Sequence, residues 1–336
     1  MECSENRKGV GLVLSGGGGK GAYEIGVWRA LDEYGVSPNI SAVSGTSVGA
    51  LNAALFAQRD RAHAEQVWSN ISPDAVLTLQ SIPYYVRFLG GIPQYFRSTL
   101  GTAFLSRVFN WFSGLVKDQG FFSKKGLAGL IEQNVDFQKI RAFTGPIYAA
   151  AFNVDRMRLE YFDLRDSDLA QNLRDRLLAS ASIPVVFGKT YADGHLYWDG
   201  GLPEIGDNTP VQPLYDSGYR NIVVVHLSRE MPVDQSRFPG CNIIEIMPQE
   251  DMGGIGGTLN FSADRANENM KRGYHDAVRV LEPLYKSGAA LFRIEKALRE
   301  LQTERKDFWK KKQTLDRRNW ETSCEINGIL DQYVKE

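Results

Sequence analysis

Residues 9–21, GVGLVLSGGGGKG, and residues 40–49, ISAVSGTSVG, decide how this chain folds. The first stretch opens with valines and leucines, Gly9 to Leu14, which read as a buried strand stopping at Ser15-Gly16. Lys20 to Gly35 then places Ile25, Trp28, Leu31 and Tyr34 near one helical face, with Gly35 as the stop. Ile40 to Ser44 reads as a second strand, and Val48 to Arg59, rich in alanine and leucine, as the helix that follows at once. Strand, helix, strand and helix with short connections predict a parallel sheet covered on both sides.

Further along, Ile147–Val154 and Arg158–Leu164 read as strands joined in a hairpin at Asp155-Arg156. Leu173–Ser180 reads as a helix that ends before Ile183-Pro184. His195–Asp199 is a short strand running into Gly200-Gly201, and Asn221–Leu227 and Asn242–Met247 are two more buried strands. Residues 75–117 differ from all of these. They hold nine aromatics and four basic residues but no Asp or Glu, and they are expected to form a cap or insertion on the sheet. Packing of that cap and contact with a lipid surface are both compatible with such a composition. Gly253 to Gly257 is expected to be a loop, and the chain from Ser262 onward to be helical. Leu291, Ile294, Leu298, Leu301, Phe308 and Leu315 fall at heptad-like spacing, with Arg305 and Lys312 breaking the series. An antiparallel hairpin docked on the domain is the plain expectation there. A self-association helix and a contact with anionic membrane stand beside it.

Composition sets the bounds. The 336 residues carry a formal net charge of -1, which excludes a strongly basic nucleic-acid binder. Eleven of the 33 glycines lie between Gly9 and Gly49, so the excess belongs to particular turns and not to a collagen-like period. Cys3, Cys241 and Cys324 form neither a CxxC pair nor an even disulfide framework. No leader and no stretch of the roughly 18–20 apolar residues needed to span a bilayer stands out. The expectation is a cytoplasmic protein that meets membranes, if at all, at their surface.

Gly45-Thr46-Ser47-Val48-Gly49 is a G-x-S-x-G between a predicted strand and a predicted helix. A serine on such a turn needs small neighbours, because the turn is tight and substrate must reach the hydroxyl, while the helix N-terminus favours developing negative charge. Ser47 as a plain helix N-cap is the alternative. Gly16-Gly17-Gly18-Gly19-Lys20-Gly21 fits a dinucleotide fingerprint, but the second strand ends in Ser44-Gly45-Thr46, without the acidic residue a ribose needs. It also resembles a phosphate loop, yet Gly21 follows Lys20 where Ser or Thr belongs. An oxyanion hole of backbone N–H groups is the third reading, and two glycine turns at adjacent strand ends favour it. A serine nucleophile needs a base. His195 is the one serious histidine candidate, while His63, His226 and His275 suit structural roles. Asp199-Gly200-Gly201 places an acid at a strand end beside a turn that permits close approach, with self-capping of the turn as its alternative.

Together these residues resemble the patatin-like phospholipase family. The likeness rests on the glycine loop Gly16–Gly21 with Lys20, on Gly45–Gly49 around Ser47, and on Asp199-Gly200-Gly201, in that order. Residues 179–184 (ASASIP) and 207–210 (DNTP) are similar to the stretches that flank the aspartate in that family. The resemblance implies a three-layer α/β/α sheet with a helical C-terminal region. It divides the chain into a catalytic domain over 9–288, including the cap at 75–117, and an extension over 289–336. It implies a Ser47–Asp199 dyad with no histidine, metal or cofactor, and backbone N–H groups of Gly17–Gly19 holding the oxyanion. The expected reaction is hydrolysis of fatty acyl esters in phospholipids or lysophospholipids. A carboxylesterase or thioesterase acting on other esters, or a lipid-binding protein of the same fold, is the alternative. The expected partners are a lipid substrate, peripheral membrane and a second copy through the C-terminal helices.

Overall fold

The computed structural model describes residues 8–76, 78–79, 122–184, 186–229 and 232–333. Most of the aromatic segment 75–117 therefore lies outside the described residues. The chain divides into two compact units, Met1–Leu281 and Glu282–Glu336.

In chain order the strands are β1 (Val10–Leu14), β2 (Ile40–Thr46), β3 (Thr78–Leu79), β4 (Phe122–Ser123), β5 (Ile147–Asn153), β6 (Arg158–Asp163), β7 (Thr190–Ala192), β8 (His195–Asp199), β9 (Asn221–Val225) and β10 (Asn242–Ile246). The helices are α1 (Ala22–Glu33), α2 (Val48–Ala57), α3 (Arg61–Ser69), α4 (Pro73–Val76), α5 (Lys125–Asn134), α6 (Phe137–Ala142), α7 (Ala170–Ser180), α8 (Gln212–Asp216), α9 (Gly254–Thr258) and α10 (Ala263–Tyr333).

Eight strands form one sheet in the order β10-β9-β1-β2-β5-β8-β7, with β6 also on β5. β10, β9, β1, β2 and β5 run parallel, whereas β6 and β8 run antiparallel to β5, and β7 antiparallel to β8. Alternation along the central strands buries both faces. Leu12, Leu14, Val223 and Val225 join the larger core beneath α1, α2 and α7, while Val13, Ile222 and Val224 join a smaller one under α8. The result is the three-layer arrangement, with one layer thin. The chain crosses from β1 to β2 on one side and returns to β9 on the other. The ends of β1 and β2 thus lie at a switch point, where a crevice opens beyond the carboxyl ends of parallel strands.

Two expectations are corrected. Gly253–Gly257 is not a loop: Gly254–Thr258 is a helical turn, and it seats on the glycine loop. A Cβ on Gly18 would lie 2.2 Å from Thr258 O, and one on Gly19 2.0 Å from Asn260 O, so these backbones touch because no side chain intervenes. The C-terminal region forms no hairpin either. Residues 282–333 are helical throughout, and no Pro and only Gly288 and Gly328 fall between 284 and 333, too little to break the run.

Candidate active site

Ser47 sits where β2 ends and α2 begins, with φ 56° and ψ -124°. A non-glycine residue in this region is strained, at about 1–3 kcal/mol, and persists only where its surroundings hold it. Those surroundings are close. A Cβ on Gly45 would meet the Gly49 backbone at 2.3 Å, and one on Gly49 would meet Leu14 O at 2.2 Å. The two glycines of the motif are thus required by backbone contact, one within the turn and one against β1. The Ser47 side chain makes no capping hydrogen bond, so the N-cap alternative fails. Its backbone N–H is held instead by Ser180 Oγ at 3.0 Å.

β1 and β2 pair in register Leu14↔Gly45, which sets the glycine loop beside Ser47. A Cβ on Gly16 would lie 3.3 Å from the Ser47 Cβ, so the two turns are in contact. The loop winds into a 3-10 turn over Gly18–Gly21 that leads directly into α1. Lys20 N–H closes on Gly17 O at 3.3 Å, and Gly16 N–H on Asn208 O at 3.1 Å. Among the described residues no such partner takes up the N–H groups of Gly17, Gly18 and Gly19. Donors of that kind, gathered at one turn, suit a developing oxyanion.

Asp199 reaches Ser47 through the sheet. β6 pairs with β5 from Tyr148 to Asn153 and so occupies one edge of it. β2 and β8 share the other edge, with Thr46 opposite Ala150 and Asp199 opposite Ala151. Two strands therefore abut end to end, and their ends bring Ser47 and Asp199 together. Both are buried, at 5% and 4% exposure. Asp199 Oδ1 accepts from Gly201 N–H at 2.7 Å, while Oδ2 is buried without a geometric hydrogen-bond partner among the described residues. Burial raises the Asp199 pKa to about 6, and the neighbouring Ser47 hydroxyl and the Gly201 N–H offset that rise in part.

A family model for patatin-like phospholipase matches residues 12–215. The chain belongs to the patatin-like phospholipase family. Lysophospholipase NTE1 of Cryptococcus neoformans is 27% identical over 221 residues, covering 64% of this chain and 11% of that protein. Patatin-like phospholipase domain-containing protein 7 of Mus musculus is 25% identical over 234 residues, covering 68% of this chain and 14% of the relative. The chain thus spans little more than a tenth of the length of these curated relatives. Among solved structures, VipD from Legionella pneumophila covers 82% of this chain and 67% of its own, at 16% identity and a TM-score of 0.39.

The patatin-like stretch 179–184 has two visible tasks. Ser180 holds the Ser47 N–H, and Ser182 O accepts the Asp199 N–H at 2.9 Å. The 207–210 loop brackets the same region from the other side. Thr46 Oγ1 donates to Asp207 O at 2.7 Å, Ser44 Oγ to Pro210 O at 2.6 Å, and Asp207 N–H to Gly200 O at 2.7 Å. Asn208 Nδ2 donates to Gly16 O at 3.2 Å, so one loop ties down three turns.

His195 is not part of the site. It lies at the opposite end of β8 from Asp199, about 13 Å along the strand, where its Nδ1 is 3.3 Å from Asp155 Oδ2. His226 is buried beside Glu245, and His63 contacts the Asn134 carbonyl. One cluster escaped the sequence reading. Asn52 Nδ2 donates to Gly21 O at 2.9 Å and to Glu24 Oε2 at 2.7 Å, while Trp68 Nε1 donates to Asn52 Oδ1 at 3.0 Å. Burial holds the Glu24 carboxyl well above its ordinary pKa, with Asn52 and the Ser15 backbone offsetting it in part, and its Oε1 has no partner among the described residues. The available signal was Asn52 itself, the one strongly polar residue in the apolar run VGALNAALFA.

Ser47 and Gly18 open onto a cavity of about 90 Å³. Its walls are almost wholly apolar, with Leu51, Leu55, Trp68, Ile131 and Phe261 among them. Among the described residues there is no cluster of three or more metal-ligating side chains, and no helix is long and apolar enough to cross a membrane.

Proposed function

We propose that this protein hydrolyses fatty acyl esters of phospholipids or lysophospholipids, with Ser47 as nucleophile and Asp199 as the group that accepts its proton. The observation that carries this is the shared edge of β5, where β2 and β8 bring Ser47 and the buried Asp199 carboxylate together. Ser47 Oγ attacks the ester carbonyl carbon while its proton passes to Asp199. The carbonyl oxygen becomes an oxyanion and takes the N–H groups of Gly17–Gly19. As the tetrahedral species collapses, the C–O bond to the alcohol breaks and Asp199 returns the proton to that oxygen, leaving an acyl serine. Water then attacks the acyl carbon and gives its proton to Asp199, the C–O bond to Ser47 breaks, Asp199 returns the proton to Ser47 Oγ, and the fatty acid leaves. A carboxylate at the ordinary 3.9 is a poor base for an alcohol. Burial that lifts Asp199 to about 6 brings it closer to the task.

The names of the curated relatives support a phospholipid or lysophospholipid ester as substrate. We take residues 9–288 as the catalytic domain and 289–336 as an extension, and place the protein inside the cell, meeting membranes peripherally. Among the described residues Cys241 and Cys324 are unpaired, which suits a reducing compartment. Labelling with a fluorophosphonate tests the nucleophile: wild type is expected to label, S47A not to. Labelling of S47A at the wild-type rate would remove Ser47 from this role. Activity lost in H195A but kept in D199N would replace the dyad with a histidine base.

A further inference from the structure

The cavity beside Ser47 is a groove with a measurable depth. α2 lines one wall with Val48, Leu51 and Leu55 at helical spacing, and α5 lines the facing wall with Leu127, Ile131 and Asn134. Past Leu55, hydrogen bonds tie the C-terminal ends of these two helices together. Gln58 Nε2 donates to Asn134 O at 3.1 Å, Asp136 N–H donates to Gln58 Oε1 at 3.1 Å, and His63 Nε2 lies 3.2 Å from the Asn134 carbonyl. Apart from Ser47, the polar side chains on the lining are Asn52 and Asn134. The Asn52 amide is already committed to Gly21, Glu24 and Trp68, and Asn134 Nδ2 donates to Leu130 O at 2.8 Å. The other side chains on the described lining are all hydrophobic, so its natural occupant is hydrocarbon.

We propose that this groove measures the acyl chain, taking one unbranched chain to about ten carbons from the ester carbonyl, with Leu51 along the wall and Leu55 setting the limit. From Ser47 to Leu55 is eight residues of α2, or about 12 Å. An extended hydrocarbon with bonds of about 1.5 Å advances about 1.25 Å per carbon, so about ten carbons fill that depth. The inference rests on Ser47 as the nucleophile and adds which acyl esters it prefers.

The test uses the native protein with p-nitrophenyl esters and alkyl fluorophosphonates whose chains run from two to sixteen carbons. Each methylene that enters the groove is expected to raise kcat/KM and the labelling rate about fourfold, up to about ten carbons, beyond which both fall. In L51W the barrier stands four residues from Ser47, and the optimum is expected to shorten to about five carbons. Rates that climb steadily to sixteen carbons, or the same optimum in an L51W that melts as wild type, would overturn the gauge. Should L51W fail to fold, the phosphonate series on the native protein decides alone, and L55A is expected to move the optimum to longer chains. No labelling by any phosphonate and no cleavage of any ester would instead strike down the nucleophile assignment itself.

Discussion

The turn at Ser47 and the helix over residues 282–333 are held by opposite kinds of contact. Around Ser47 the bonds span the chain: Ser47 to Ser180, Thr46 to Asp207, Asn208 to Gly16, and Asp199 to Ser182. Among the described residues, bonds along 282–333 such as Lys286–Glu282, Arg299–Glu295 and those of the Thr303 and Thr314 hydroxyls to the carbonyls four residues before span one helical turn. The first kind can hold a serine at positive φ, because many distant elements must move together to release it. The second kind gives a helix from local propensity and ion pairs, each pair worth only about 0.3–0.5 kcal/mol. Strain, and with it chemistry, is stored where the contacts are non-local.

That contrast is tested most severely at the turn. Replacing Ser47 with glycine should remove at least a thousandfold of ester hydrolysis while raising stability by about 1 kcal/mol, since glycine takes this backbone conformation without strain. A less stable S47G, by urea denaturation, would mean that the serine is not strained.

Next in size is the network behind the glycine loop. Asn52→Ala removes three hydrogen bonds and leaves Glu24, Trp68 and Gly21 O short of buried partners. The expected cost is about 3–5 kcal/mol, with a fall in kcat of tenfold or more because Gly21 anchors the loop. Glu24→Gln keeps an oxygen that can accept from Asn52 and removes a carboxyl whose charged form burial disfavours, so its cost should be well below that of Asn52→Ala.

Asp199 gives the pH dependence. Its folded pKa is raised to about 6 from 3.8, so the native state holds a proton more tightly than the unfolded chain. Stability from this group is therefore present below about pH 4 and lost as pH rises through 6. Asp199→Asn should gain about 2–3 kcal/mol above pH 7, and the gain should vanish near pH 4. Hydrolysis by the wild type should fall as pH drops through about 6, where the base becomes protonated. A stability gain independent of pH would show that the carboxylate carries no burial penalty.

The two regions also differed in how far they could be read. The central strands were legible because their apolar runs stop at glycines, and the G-x-S-x-G marked Ser47 because tight turns need small residues. What could not be read was the edge shared by β2 and β8. β8 meets β5 from more than forty residues away and antiparallel, and no local pattern records which half of a strand it will pair with. The partners of Ser180 and Asn52 were hidden for the same reason. Gly253–Gly257 looked like a loop because glycines lower helix propensity, whereas here they let α9 close on Gly18 and Gly19. In the C-terminal region heptad spacing names a face but not what covers it, so it suited a hairpin and a single helix equally. The absence of a breaker between Gly288 and Gly328 was the better signal.

The smallest expected effect completes the contrast. Leu298 and Leu301 are 52% and 60% exposed, so their methyl groups lose little solvent when the helix forms. Leu298→Glu with Leu301→Glu should change the melting of the catalytic unit by less than about 0.5 kcal/mol and leave short-chain ester hydrolysis within twofold. Leucine and glutamate differ little in helix propensity, so helix content by circular dichroism should hold as well. The same pair of changes at Leu12 and Leu14, buried under α1 and α2, should prevent folding altogether. If the exposed pair instead unfolds the protein, the helix draws on non-local contacts after all, and the division between the two regions is wrong.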